Sequence, residues 1–107
     1  MTKLLSSILD SWHKPVVFVD ADHIIRYMNA PARTHYAKWG DVIGKDIFHC
    51  HNEKSCQIIR ESFQKLQNGE EEVLITSSEK HRVYMRAVRD DGHLIGYYER
   101  YELPVGK

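Results

Sequence analysis

Both cysteines of this 107-residue chain, and two of its seven histidines, fall between positions 49 and 56: His49, Cys50, His51 and Cys56. Imidazole and thiolate are the side chains that zinc takes as ligands, and an imidazole is the common axial ligand of haem iron. In an extended segment His49 and His51 would point the same way, roughly 6.5–7 Å apart at Cα, with Cys50 opposite. Cys56, one helical turn further on, would complete a set of two or three donors around one ion. Yet Cys-x5-Cys with His-x-His is not a usual spacing for a structural zinc site. The simpler reading has His51 just outside a helix cap, Cys56 packed as a small apolar residue, and Cys50 as a core or half-exposed thiol. A thiolate activated by histidine would be the enzymatic alternative, but sequence proximity is poor evidence for it. The serine-nucleophile elbow, the phosphate-binding glycine loop and the zinc-protease helix are all missing, so the chain reads as a non-enzyme.

The elements that must position this segment follow from periodicity. Leu4, Leu5, Ile8, Leu9 and Trp12 form one stripe, predicting a short amphipathic helix over 2–12. Pro15 opens a β-branched strand to Asp20, and Ala21-Asp22-His23 turns the chain into a second strand over 24–28. Asn29 suits the N-cap of a helix over 30–38, with Pro31 in its first turn and Gly40 at a left-handed C′ position. Residues 41–48 read as a loop with one helical turn. Asn52 caps the best helix in the chain, whose buried stripe is Cys56, Ile59, Phe63 and Leu66, ending at Asn68-Gly69. Three strands close the chain, over 73–76, 82–88 and 94–101, with Asp90-Asp91-Gly92 as the last hairpin turn. Alternation places Tyr97, Glu99 and Tyr101 on one face of the final strand, and Tyr98 and Arg100 on the other.

Helices on one face of an antiparallel sheet make an α+β domain, and 107 residues suffice for a single core. Fifteen basic and fifteen acidic residues, scattered along the chain, give no polyanion-binding stripe. No apolar run reaches the ~20 residues that span a bilayer. No signal peptide is legible, so the two thiols read as reduced and the protein as cytoplasmic.

Three blocks carry a resemblance. Phe18-Val19-Asp20-Ala21-Asp22-His23-Ile24-Ile25-Arg26-Tyr27-Met28-Asn29-Ala30-Pro31-Ala32 resembles the opening of a PAS domain. Val42-Ile43-Gly44-Lys45-Asp46-Ile47-Phe48 is similar to its Ile-Gly-Lys-x-x-Phe segment, and 86–97 to its closing hairpin. The chain departs from many members at His23, where they carry glycine, and at its end, which lacks their Asp-Ile-Thr segment. The resemblance implies a PAS fold over 15–104, with the amphipathic helix of 1–14 against the outer face of a five-stranded sheet. It also implies a small sensor or interaction module in signal transduction. With no effector in the sequence, output is expected to reach an effector protein in trans.

A small-molecule cavity is expected among Val17, Val19, Ile25, Tyr27, Phe48, Ile59, Phe63, Val83 and Met85. A homodimer is expected through Leu5, Ile8, Leu9, Trp12, Tyr97 and Tyr101, since tyrosine and tryptophan favour interface cores. The alternative that the resemblance adds is a haem- or metal-based redox or gas sensor using His49, Cys50, His51 and Cys56. Relatives with haem usually supply the ligand from the long helix, which here has no histidine. A flavin photosensor is not expected, because the sequence surroundings of its reactive cysteine are absent. Nucleic acid and membrane are not expected as partners.

Overall fold

The computed structural model describes residues 2–80 and 82–102, and of Cys50 only the backbone. The order is α1 (Lys3–Ser11), β1 (Val17–Asp20), β2 (Ile25–Met28), α2 (Ala30–His35), two 3-10 turns (Ala37–Trp39 and Ile47–Cys50), α3 (Glu53–Gln67), β3 (Glu72–Ser77), β4 (Arg82–Asp90) and β5 (His93–Glu102). The strands form one antiparallel sheet in the order β2-β1-β5-β4-β3. The last two residues of the expected 15–104 domain lie outside the described residues.

Three polar caps start the helices, Asn29 and Asn52 as the sequence expects and Thr2 in addition. Thr2, Asn29 and Asn52 accept from the backbone N–H groups of Leu5, Ala32 and Ser55, supplying acceptors for donors that a helix start leaves unpaired. The helix expected over 30–38 stops early. At Tyr36 the backbone (φ −99°, ψ 12°) leaves the α conformation while the ring is buried in the core. Gly40 takes a positive φ of 75°, but with ψ at −155° this is a region essentially reserved for glycine and not the left-handed helical one.

The stripe of α3 is buried as its spacing requires: Cys56, Ile59, Phe63 and Leu66 face the sheet. Ile59, Phe63 and Leu66 meet Val17, Val19, Ile25, Met85 and Tyr97 from the inner face. One extra residue in β2 decides which of its side chains join them. Val17 pairs with Met28 and Val19 with Ile25, so the bulge lets both Ile25 and Met28 point inward. Tyr27 is thereby turned outward, not into the interior as expected. Its hydroxyl donates to Asp10 Oδ1 at 2.9 Å and lies 3.3 Å from Ser6 O on α1.

Between Asp20 and Gly96 the sheet closes without space for a side chain. A Cβ on Gly96 would fall 2.2 Å from Val19 O. Just ahead of β5, Asp91 (φ 52°) and Gly92 (φ 80°) form the expected tight turn, with positive φ at both central positions as a type I′ hairpin demands.

Asn29 joins the helical start of the chain to the domain. Its side chain is fully buried and makes four hydrogen bonds. Oδ1 accepts from Val16 N and Ala32 N at 2.8 and 3.1 Å; Nδ2 donates to Leu9 O and Lys14 O at 2.8 and 2.9 Å. All the hydrogen-bonding capacity of that amide is used. Asp10 adds a second tie, accepting from Ala30 N at 3.0 Å.

Candidate functional site

A half-open pocket of about 220 Å³ lies between α3, the end of α2 and the inner face of β3–β5. Tyr36, His51, Ile59, Ile75, Glu99 and Tyr101 are among its walls. Glu99 is the anomaly. It pairs with Met85 across β4 and β5, its residue is 5% exposed, and burial raises its carboxyl above the usual range against the pull of His51. The phenol of Tyr101 lies 3.5 Å from Glu99 Oε2, the outer limit of a hydrogen bond. The same burial, with Glu99 beside it, raises Tyr101 beyond the ordinary tyrosine value.

A second titratable group, half-buried, packs against the core. His23, in the first hairpin turn, holds a positive φ of 66°. A positive φ is a conformation that glycine adopts without steric cost and histidine does not. Its ring packs on Phe48 and Phe63 at centroid distances of 5.1 and 4.7 Å, and its Nδ1 lies 3.0 Å from Tyr97 Oη. Burial lowers the His23 pKa because it disfavours the charged imidazolium.

The His-Cys-His segment does not adopt the expected extended form. Residues Ile47–Cys50 wind into a 3-10 turn, so His49 is exposed while His51 turns inward. His51 Nδ1 lies 2.9 Å from Ile47 O; a carbonyl only accepts, so that nitrogen carries the proton. The Cys56 thiol is buried and directed at the carbonyl oxygens of Phe48 and His51, 3.7 and 3.6 Å away. A thiol donating to carbonyls is protonated and packed. Among the described residues no three of His, Cys, Asp and Glu come together as a metal site. The cavity is smaller than the ~300 Å³ at which ordinary ligand pockets begin, and it does not fit a haem.

Of the residues expected around a cavity, Ile59 and Val83 line this one. Val17, Val19, Ile25, Phe63 and Met85 fill the core, and Phe48 is partly buried against it, under the Arg60 guanidinium 4.4 Å from its centroid. Tyr97 and Tyr101 do not face outward with α1. Tyr97 is fully buried 5.5 Å from Phe63, and Tyr101 lines the cavity. Alternation had grouped Tyr97, Glu99 and Tyr101 rightly but assigned the group to the wrong side. The signal for Glu99 was its place between two inward tyrosines; a carboxylate in a stripe reads as wet.

The outer face has two halves. Across β3, β4 and β5, Arg100 clasps Glu72 through two hydrogen bonds of 3.0 and 2.9 Å, and Arg86 approaches the same carboxylate at 3.6 Å. Arg100 holds Glu72 below the usual carboxylate range. Towards β1 and β2 the face turns apolar. Leu5, Ile8 and Leu9 of α1 border a groove of about 660 Å³ floored by Phe18, Tyr27 and Tyr98, with Val88 and Ile95 beyond. Leu5, Ile8 and Trp12 are each about half exposed, at 53%, 54% and 51%. Among the described residues no helix is long and apolar enough to cross a membrane.

Comparison with known proteins agrees with this architecture. The C-terminal domain of a Streptococcus mutans protein superimposes with a TM-score of 0.75 at 27% identity, covering 95% of this chain and 83% of that one. The PAS domain of a Colwellia psychrerythraea protein gives 0.71 at 12% identity, covering 98% of both chains, a likeness of fold alone. No curated protein matches the sequence. A family model described as a PAS domain matches residues 5–99, so nearly the whole chain, with its five-stranded sheet and leading helix, belongs to the PAS domain family of signal-sensing and interaction modules.

Proposed function

We propose that this chain is a cytoplasmic signal-transduction module that works as a homodimer, two copies meeting over the apolar groove between α1 and the outer sheet face. The observation that carries this reading is the exposure of Leu5 and Ile8 on a groove whose floor is also apolar, with the half-exposed Trp12 on the same helix. Contiguous apolar surface rimmed by charge marks an interaction site on most soluble proteins. The same surface holds both the ridge and the trough that a two-fold contact needs. Output then passes to an effector protein in trans, and the free, buried thiol of Cys56 suits a reducing compartment. Light scattering over a concentration series tests the dimer. The native chain is expected at dimer mass in the micromolar range and Ile8→Glu at monomer mass. A native chain that stays monomeric at high micromolar concentration contradicts the reading.

A second function of the same domain is favoured by the half-open pocket under α3. The buried carboxyl of Glu99 among polar and apolar walls suits a small-molecule ligand, since such sites combine apolar lining with a few placed polar groups. The signal in that case is occupancy of the cavity, and the outer face is where it is read.

A further inference from the structure

We infer that the half-open pocket under α3 selects an uncharged small molecule, an apolar body carrying one neutral polar end, a hydroxyl or a carbonyl. The inference rests on the reading of that pocket as a ligand site. Ile58, Ile59, Ile75 and Val83 give it an apolar wall. The polar groups on its buried side are engaged with one another. Tyr36 hydrogen-bonds Tyr101, and the Tyr101 hydroxyl lies 3.5 Å from Glu99 Oε2. Among the described residues no buried polar side-chain atom lacks a hydrogen-bond partner. The protein therefore satisfies its own polar groups there and asks no charge of a ligand.

The charges around the pocket agree with that. No lysine, arginine or aspartate lies among the described lining residues. Their one carboxyl, Glu99, is 5% exposed, and burial favours its uncharged form. The positive charge that acts on it is the protein's own, from His51. His35 is exposed and stays in water. An ammonium or a carboxylate entering the pocket would lose its hydration with no counter-charge to replace it; an uncharged molecule loses far less. Ser55 on α3 is half-exposed and Thr76 on β3 is exposed, so their hydroxyls are open to hydrogen-bond a neutral polar end. A volume of about 220 Å³, under the ~300 Å³ of ordinary ligand pockets, keeps the occupant small.

The test is an NMR titration of the native chain at neutral pH with three probes of matched length: n-butanol, n-butylammonium and butyrate. The expected result is saturable, millimolar binding of n-butanol, the range open to a probe this small. Its shifts should centre on the amides of Ile59, Ile75 and Val83. The two ions should bind at least about tenfold more weakly, the scale of one uncompensated polar group. Ile58→Trp, a change at a half-exposed wall residue, should fill the pocket and abolish the n-butanol shifts while the rest of the spectrum stays native. Either ion binding as tightly as n-butanol overturns the uncharged class and leaves the pocket as a site for another ligand. Shifts that survive Ile58→Trp, or no shift at the pocket from any probe, overturn both the class and the site.

Discussion

Burial acts on Glu99 and His23 in opposite senses, because it disfavours whichever form carries charge: it raises the carboxyl and lowers the imidazole. With its folded pKa raised, Glu99 contributes stability that is fully present below the ordinary glutamate value and lost as pH rises through the folded value. Glu99→Gln should therefore leave stability at acid pH nearly unchanged and raise it at neutral pH by about 1–3 kcal/mol, the desolvation cost of a poorly paired buried group. Melting temperatures of both proteins across pH read this directly; parallel curves would contradict it. The contribution of His23 runs the other way. Its folded pKa is lowered, so its stability is present above the ordinary histidine value and declines as pH falls towards the folded one. Tyr97→Phe removes the hydroxyl 3.0 Å from His23 Nδ1 and should cost about 1 kcal/mol in urea denaturation. Little of this was legible in the sequence. Period-two alternation groups Tyr97, Glu99 and Tyr101, but which face of the sheet the helices cover is a tertiary fact. His23 stood out only as a side chain where a turn wants glycine.

At the scale of elements, what could be read locally was read well. The Asn29 and Asn52 caps, the α3 stripe and the Asp91-Gly92 turn depend on residues a few positions apart. The bulge in β2 depends on strand pairing, so Tyr27 was misplaced. The bonds from Asn29 to Leu9 O and Lys14 O reach 20 and 15 residues back along the chain, beyond any local rule. They make Asn29 the joint between α1 and the sheet. Asn29→Ala leaves the N–H groups of Val16 and Ala32 without that acceptor, and α1 held by Asp10 without the bonds from Asn29 Nδ2. It should cost about 2–4 kcal/mol and speed hydrogen exchange in α1 more than in α3. Equal acceleration in both helices would count against a local joint. Gly96 has a different role, letting β5 approach β1. Gly96→Ala places a Cβ 2.2 Å from Val19 O, a backbone atom that cannot step aside. A loss of more than about 3 kcal/mol is expected, with the β1–β5 amides losing exchange protection first.

Over the whole molecule, the inner and outer faces of the sheet carry different work. Inside, α3 closes a core with a small pocket at its edge. Outside, the charged ladder of Glu72, Arg86 and Arg100 stays in water, while the apolar half under α1 is open. Because α1 is held by Asn29 and Asp10 through polar bonds, its apolar side chains remain available for a second copy. The PAS resemblance carried by Phe18 to Ala32, Val42 to Phe48 and the closing hairpin was legible as a fold; the division of the outer face was not, since it depends on strand order. The most direct test of the dimer is native mass spectrometry of the freshly purified protein, set against its denatured mass. A species of two 12.6 kDa chains, reverting to one on Ile8→Glu, is the predicted result. A monomer across the micromolar range, unchanged by that substitution, would contradict the account.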